Sequence, residues 1–251
     1  MLTPRVRCRG SHLRSENGEH QSSTALDRYA QRNDLRRNGT LMLSRYTMPA
    51  VPAHERPGQT KMRVSMDTPI RSNQALLEQL KHGLKPDCLM FWGHQPTRDG
   101  RISQSCFSQW FDAGLELDGI QYPSAEHFMM AGKALLFGDQ ETHGRILKAV
   151  TPADVKQLGR EVRGFDDARW TEARLDIVVQ GNLAKFSQHQ ALGEYLLSTG
   201  DQVLVEASPV DRIWGIGLAA EDARASRPEQ WRGLNLLGYA LMEVRDRLRI
   251  G

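Results

Sequence analysis

After Ser124 the chain passes through one helical segment after another, and a single β-branched run, "QVLVEAS" at 202–208, breaks the series. That succession limits the possible folds more than any other feature. Segments 125–137, 141–149, 152–162, 167–185, 189–198 and 235–249 read as helices, and 202–208 as a strand. Upstream, "DCLMFWG" (87–93) is a short apolar run between Pro86–Asp87 and Gly93, which also reads as a strand. "GLELDGIQYP" (114–123) carries an Asp-Gly turn between two short alternating segments, the signature of a hairpin. "RDGRISQSCFSQWF" (98–111) starts on another Asp-Gly turn and is expected to continue as a strand or extended loop. The architecture these pieces define is α+β and predominantly helical, a single domain with a few short strands and no internal repeat.

The first 70 residues have a different texture. They are rich in Arg, Ser, Asn, His and Gln, and lack apolar periodicity. Such a composition buries too little surface to offset the entropy of ordering. Residues 1–70 are therefore expected to be a basic, disordered extension, or the product of a start codon placed too far upstream. A basic arm that binds nucleic acid or another polyanion is the competing reading. "PIRSNQALLEQLKHGL" (69–84) looks like a short amphipathic helix, so 71–86 is taken as a lead-in helix and 87–251 as the folded domain.

Charge follows the same division. The formal net charge is +3, yet residues 1–70 hold 12 Lys+Arg against 6 Asp+Glu, and the remainder holds 21 against 24. The basic balance thus belongs to the N-terminal stretch, and is poor grounds for nucleic-acid binding by the folded part. Cys8, Cys88 and Cys106 form no CxxC pair, which argues against a disulfide framework and against a structural zinc site. No apolar run is long enough to span a bilayer and no secretion signal follows Met1, so a cytoplasmic location is expected.

"YPSAEHFMMAGKALLFGD" (122–139) has a good N-cap in Ser124 and an apolar stripe of Met129, Met130, Ala134 and Phe137. Glu126 and Lys133 fall on one face of that helix, two turns and about 10 Å apart. That spacing is too long for a simple ion pair and about the span of a small ligand. Glu126 in the first turn is expected to feel the positive helix end, which favours its charged form. The plainer reading makes Glu126 a surface acid and lets Lys133 snorkel from an apolar face.

A second cluster is "VEASPVDRIWGIGL" (205–218). Gly215 and Gly217 beside Trp214 would let backbone approach a planar ligand, with the indole as a stacking plate. Asp211 is either a ribose-hydroxyl acceptor or catalytic carboxylate, or a turn cap. Trp214 is either a plate or a core residue. No GxGxxG accompanies them, so this is no dinucleotide fingerprint. Asn235, after Gly233, stands where an N-cap is the ordinary explanation. Cys106 has no adjacent base and is not read as a nucleophile.

Taken in order, these pieces resemble the YbiA/NADAR family of N-glycosidases over about residues 88–249. The matching features are Phe91-Trp92-Gly93, Phe107-Ser108 before an aromatic, and Tyr122-Pro-x-Ala-Glu126-His127 leading to Lys133. Gly159-Arg160 with Trp170, Asn182-x-x-Lys185-Phe186, Asp211-x-x-Trp214-Gly215-x-Gly217 and Asn235-Leu-Leu-Gly238 follow. Gln109 departs from the pattern, standing where many members carry Asn; a substrate contact there would alter substrate choice.

The resemblance implies hydrolysis of the N-glycosidic bond between a base and a phosphorylated ribose. The substrate would be a ribosylaminopyrimidine phosphate of riboflavin synthesis, or guanine ADP-ribosylated in nucleic acid. In such a reaction Glu126 would stabilise the cationic ribose and relay protons. Lys133 would attack C1 to form a Schiff base, or water would attack directly, with Lys185 as the reserve amine. Trp214 and Trp92 would sandwich the base, Asp211 and Asn235 would hold ribose hydroxyls or base edges, and Arg212 and Arg160 would meet phosphate. Gly93, Phe107, Ser108, Gln109, Gly215 and Gly217 complete the expected binding positions. Neither route needs a metal, and no cofactor, membrane contact or stable protein partner is expected. A non-catalytic ADP-ribose or NAD-binding module is the alternative.

Overall fold

In the computed structural model of the chain, residues 69–250 are described. The basic extension expected at the N-terminus lies outside the described residues except for its last two positions. Helix α1 (Asn73–Lys81) opens at Ser72, whose hydroxyl accepts the Ala75 N–H at 3.1 Å. It buries Leu76 and is tied to the body through Asn73, which donates to Gly233 O and accepts from the Tyr239 hydroxyl, both at 2.9 Å.

Strand β1 (Cys88–Phe91) pairs in parallel with a strand far along the chain, Val203–Glu206, with Cys88 opposite Val203 and Phe91 opposite Glu206. Parallel neighbours need a long crossover, and here it contains most of the domain. A 3₁₀ turn (Gln104–Phe107) comes first, then the antiparallel hairpin of β2 (Leu115–Leu117) and β3 (Ile120–Tyr122). The hairpin turns on Asp118 and Gly119, with φ of 53° and 79°. Both residues lie in the left-handed region that a two-residue turn matching the strand twist requires. Helices α2 (Ala125–Leu136), α3 (Gln140–Ile146), α4 (Pro152–Arg160), α5 (Asp167–Gln188) and α6 (Gln190–Ser198) follow. Val203–Glu206 is then β4, and the chain closes with a 3₁₀ turn (Pro228–Gln230) and α7 (Leu236–Ile250).

The result is the helix-rich α+β fold expected from the sequence. The 22-residue α5 packs against both α2 and α7. Gly181 makes the α2 contact close: a Cβ there would lie 2.6 Å from the Phe128 ring. Phe107 sits among Phe91, Tyr195 and Phe186, with ring centroids 5.4, 5.5 and 6.2 Å away, and is fully buried.

Segment 98–111 is a loop, one of the two forms expected, with a 3₁₀ turn at Gln104–Phe107 where Cys106 and Phe107 turn inward and Ser103 caps the turn. One local expectation is corrected. Ser124 occupies the N-cap position of α2 but makes no capping bond. Its hydroxyl meets His127 Nδ1 at 2.8 Å, and the Glu126 N–H is served instead by Gln109 O at 3.0 Å. The first turn of α2 is thus tied to the segment after the 3₁₀ turn.

Candidate functional site

Both parallel strands run toward one end of the domain, and Glu206, the last residue of β4, lies at that end. Against it stand α2 from Glu126 to Lys133, the last two turns of α4, the 108–110 segment, the loop after β4 and Leu237 at the start of α7. Together they enclose a cavity of 270 Å³. Clefts at the carboxyl ends of parallel strands are common ligand sites because the diverging loops leave space there.

Of the residues singled out in the sequence, Glu126, Lys133, Asp211, Ser108, Gln109, Trp214 and Arg160 line this cavity. Glu126 is 3% exposed, and burial pushes its carboxyl up to about 7. The Asp211 carboxylate adds to the rise, while the Lys156 ammonium and a hydrogen bond from Trp110 oppose it. The helix-end argument had favoured the charged form. Desolvation outweighs it, because a helix terminus contributes about 1 kcal/mol and full burial of a carboxylate costs several times that.

Lys133 is half-buried. Its Nζ donates to Gly159 O at 2.7 Å and sits 4.3 Å from the Phe165 ring centroid and 5.6 Å from that of Trp170. Burial lowers its pKa, so more of the amine is neutral than in an exposed lysine. Asp211 Oδ1 accepts the N–H groups of Ile213 and Trp214, both at 2.8 Å. The cap reading and the cavity reading of Asp211 therefore hold together, since one oxygen fixes the loop while the residue still lines the cavity.

The structure also brings in residues that the sequence reading passed over. Glu206 lines the cavity, and its Oε2 is buried without a hydrogen-bond partner. Burial pushes its carboxyl up to about 8, helped by Asp211 and Glu126 and opposed by Lys156. Lys156 stands in the cavity wall with its ammonium 5.6 Å from the Trp110 ring centroid. Trp110, inside the quoted "CFSQWF", had a visible signal as an aromatic beside polar residues. Glu206, although inside the quoted 205–218 segment, and Lys156 read as ordinary charges at a strand end and on a helix.

Other singled-out positions lie elsewhere. Trp92 is 61% exposed and, with Gly93, is not among the cavity residues. Phe107 belongs to the core. Arg212 is exposed outside the wall, and Gly215 and Gly217 are packed behind it; a Cβ on Gly215 would lie 2.7 Å from Glu206 O. Asn235 is fully buried, and its side chain pairs with the backbone of β4 through Glu206 N–H and Leu204 O, each at 2.9 Å. Lys185 is buried against the back of the wall, donating to Cys106 O at 2.6 Å and Ser108 O at 3.0 Å. Burial lowers it to about 8, but its ammonium is spent on those carbonyls. Cys106 is buried, with its thiol pushed up to about 12. Among the described residues, no group of three or more His, Cys, Asp or Glu is arranged to hold a metal ion, and no helix is long and apolar enough to cross a membrane.

A helix-rich α+β domain whose parallel strand pair ends at an acid-lined cavity defines the class. Residues 90–249 match the NADAR domain, and the chain belongs to that family. An N-glycosidase of Acanthamoeba polyphaga mimivirus is 46% identical over 145 residues, which cover 56% of this chain and 85% of that protein. The N-glycosidase YbiA of Escherichia coli is 28% identical over 173 residues, 69% of this chain and 96% of its own length. The NMR structure of E. coli YbiA is similar with a TM-score of 0.54 and 26% identity, covering 66% of this chain and 88% of that one.

Proposed function

We propose that this protein is an N-glycosidase that hydrolyses the bond between a base and C1 of a phosphorylated ribose. The single observation that carries the reading is the group of carboxyls, Glu126, Glu206 and Asp211, around a cavity that two indoles, Trp110 and Trp214, also line. Relatives named as N-glycosidases support the reaction class.

The chemistry follows from the residues. Departure of the base leaves positive charge on the ribose ring. A carboxylate in a desolvated wall stabilises that charge more strongly than water does. Glu126 takes this role as its proton is lost, and Asp211 adds negative charge from the adjoining loop. The planar base lies against the indoles. Lys156 and Arg160, one turn apart on α4, supply cations for phosphate. Lys133 attacks C1 once it leaves Gly159 O, and the sugar opens to a Schiff base that water then releases.

The test is to incubate the protein with 5-amino-6-ribosylaminouracil 5′-phosphate, and separately with DNA carrying ADP-ribosylated guanine, and to look for free base. Release from one of the two is expected. No release from either, with ADP-ribose still bound tightly, would make the protein a binding module instead.

A further inference from the structure

We infer that Glu206 is the acid that hands a proton to the departing base, a role that rests on the N-glycosidase reading above. Its backbone is held from both sides: the N–H donates to Asn235 Oδ1 at 2.9 Å, and the carbonyl accepts the Ile216 N–H at 2.9 Å. The side chain is thereby fixed at the end of β4. Several other cavity groups are engaged, although Gln109 Nε2 is not. Lys133 is bound to Gly159 O, Asp211 Oδ1 to two backbone amides, and Gln109 Oε1 to Asn182. Glu206 keeps an oxygen, Oε2, that is buried and bonded to nothing.

A buried carboxylate oxygen without a donor is poorly solvated, so the stable form of this group carries a proton. The charged groups that act on it are Glu126 from α2, Asp211 from the loop after β4 and Lys156 from α4. Two carboxylates favour the protonated form and one ammonium opposes it. A protonated carboxyl on a residue that lines the cavity has a donor to give, and Oε2 has no protein partner to take it. Glu126 differs, because Trp110 bonds to its charged form. The two acids therefore divide the work as differently placed carboxyls do in other glycosidases.

The step balances as follows. The C1–N bond breaks with its electron pair moving to the base. The Glu206 proton passes to the base, and Glu206 is left as carboxylate. The proton released by the attacking water, or by Lys133 and then water, restores it, so the net change is addition of one water.

The experiment compares wild type, Glu206→Gln and Glu206→Asp on whichever of the two substrates wild type cleaves, across pH 5 to 10, with circular dichroism to confirm folding. The expected result is a loss of kcat on the order of 10²- to 10⁴-fold in Glu206→Gln, together with loss of the alkaline limb that wild type shows. Glu206→Asp, which keeps the acid but withdraws it by one methylene, is expected to retain that limb at reduced rate; it also carries the test should Glu206→Gln fail to fold. A folded Glu206→Gln within threefold of wild type, or one as slow as expected but with the alkaline limb intact, overturns the assignment. An unchanged Glu206→Asp does the same if it stands alone. Absence of base release by wild type itself sinks the N-glycosidase reading, which is a separate failure.

Discussion

The side-chain amide of Asn182, buried inside α5, donates to Gln109 Oε1 and to Val178 O, both at 2.8 Å. This fixes which way round the Gln109 amide sits, because Asn182 cannot turn over without placing its oxygen against the Val178 carbonyl. The Gln109 Nε2 is left buried and unpartnered in a residue that lines the cavity. A buried amide N–H with no acceptor is costly, by about 1–3 kcal/mol, and a carbonyl or ring nitrogen on a bound base would relieve it. We expect Asn182→Leu to let Gln109 turn, raising KM at least several-fold with kcat little changed, and to lower stability by roughly 1–3 kcal/mol. Steady-state kinetics with a denaturant melt tests this. An unchanged KM in the folded variant removes Gln109 orientation from substrate recognition.

Lys133 and Lys185 are both amines with lowered pKa, but their surroundings differ. Lys185 holds two carbonyls of the wall, at Cys106 and Ser108, and is fully buried. Lys133 lines the cavity and holds one carbonyl. Borohydride reduction during turnover should leave a ribose adduct on the peptide containing residue 133 and none on that containing 185. Lys133→Ala should lose most activity while folding. Lys185→Met should instead lower stability by several kcal/mol, since it strands two buried acceptors. An adduct on the residue-185 peptide would reverse these roles.

The contrast between these lysines shows what was legible in the sequence. The helices, the lone β-branched strand and the Asp-Gly hairpin follow from patterns local in the chain, and they appear with boundaries shifted by a few residues. Glu126 and Lys133 could be paired because a helix sets their spacing. Asp211 and Trp214 could be grouped because they share a loop. Glu206 and Lys156 join the site only through the parallel pairing of β4 with β1 and the packing of α4 on α2, both non-local. The reverse case has the same origin. Phe107 and Asn235 look like binding residues by motif, but what they face is the core and the β4 backbone, and neither can be read from near neighbours. Likewise, the pKa of Glu126 depends on burial that its helix position does not reveal.

That burial gives a pH dependence of stability. Glu126 and Glu206 have folded-state values of about 7 and about 8, above the ordinary 4.5. Between those limits the folded state binds more protons than the unfolded one, so stability is full below about pH 4.5 and falls as pH rises through 7 and 8. The loss is at most about 3 kcal/mol for Glu126 and about 5 kcal/mol for Glu206. Substituting Glu206→Gln should flatten the fall and make the variant more stable than wild type above pH 8. Thermal melts from pH 5 to 9 test this, and a wild-type midpoint that does not drop across that range would contradict the raised values.

Asn235 offers a case where motif and structure lead to opposite measurements. Its φ is 53°, and its side chain exchanges two hydrogen bonds with β4, accepting from Glu206 N–H and donating to Leu204 O. It therefore acts as a one-residue neighbour on the edge of β4 away from β1. Gly238, three residues on, allows this approach, since a Cβ there would lie 2.0 Å from Leu204 O. Asn235→Gly keeps the left-handed backbone at no steric cost and loses both side-chain bonds, which should lower stability by roughly 2–3 kcal/mol. Asn235→Ala should lose about 1 kcal/mol more, because alanine resists that backbone region. Both variants free the Glu206 backbone, so kcat should fall more than KM rises. The opposite pattern, wild-type stability in Asn235→Gly with a large rise in KM, would mean that Asn235 binds substrate, as the motif alone suggests.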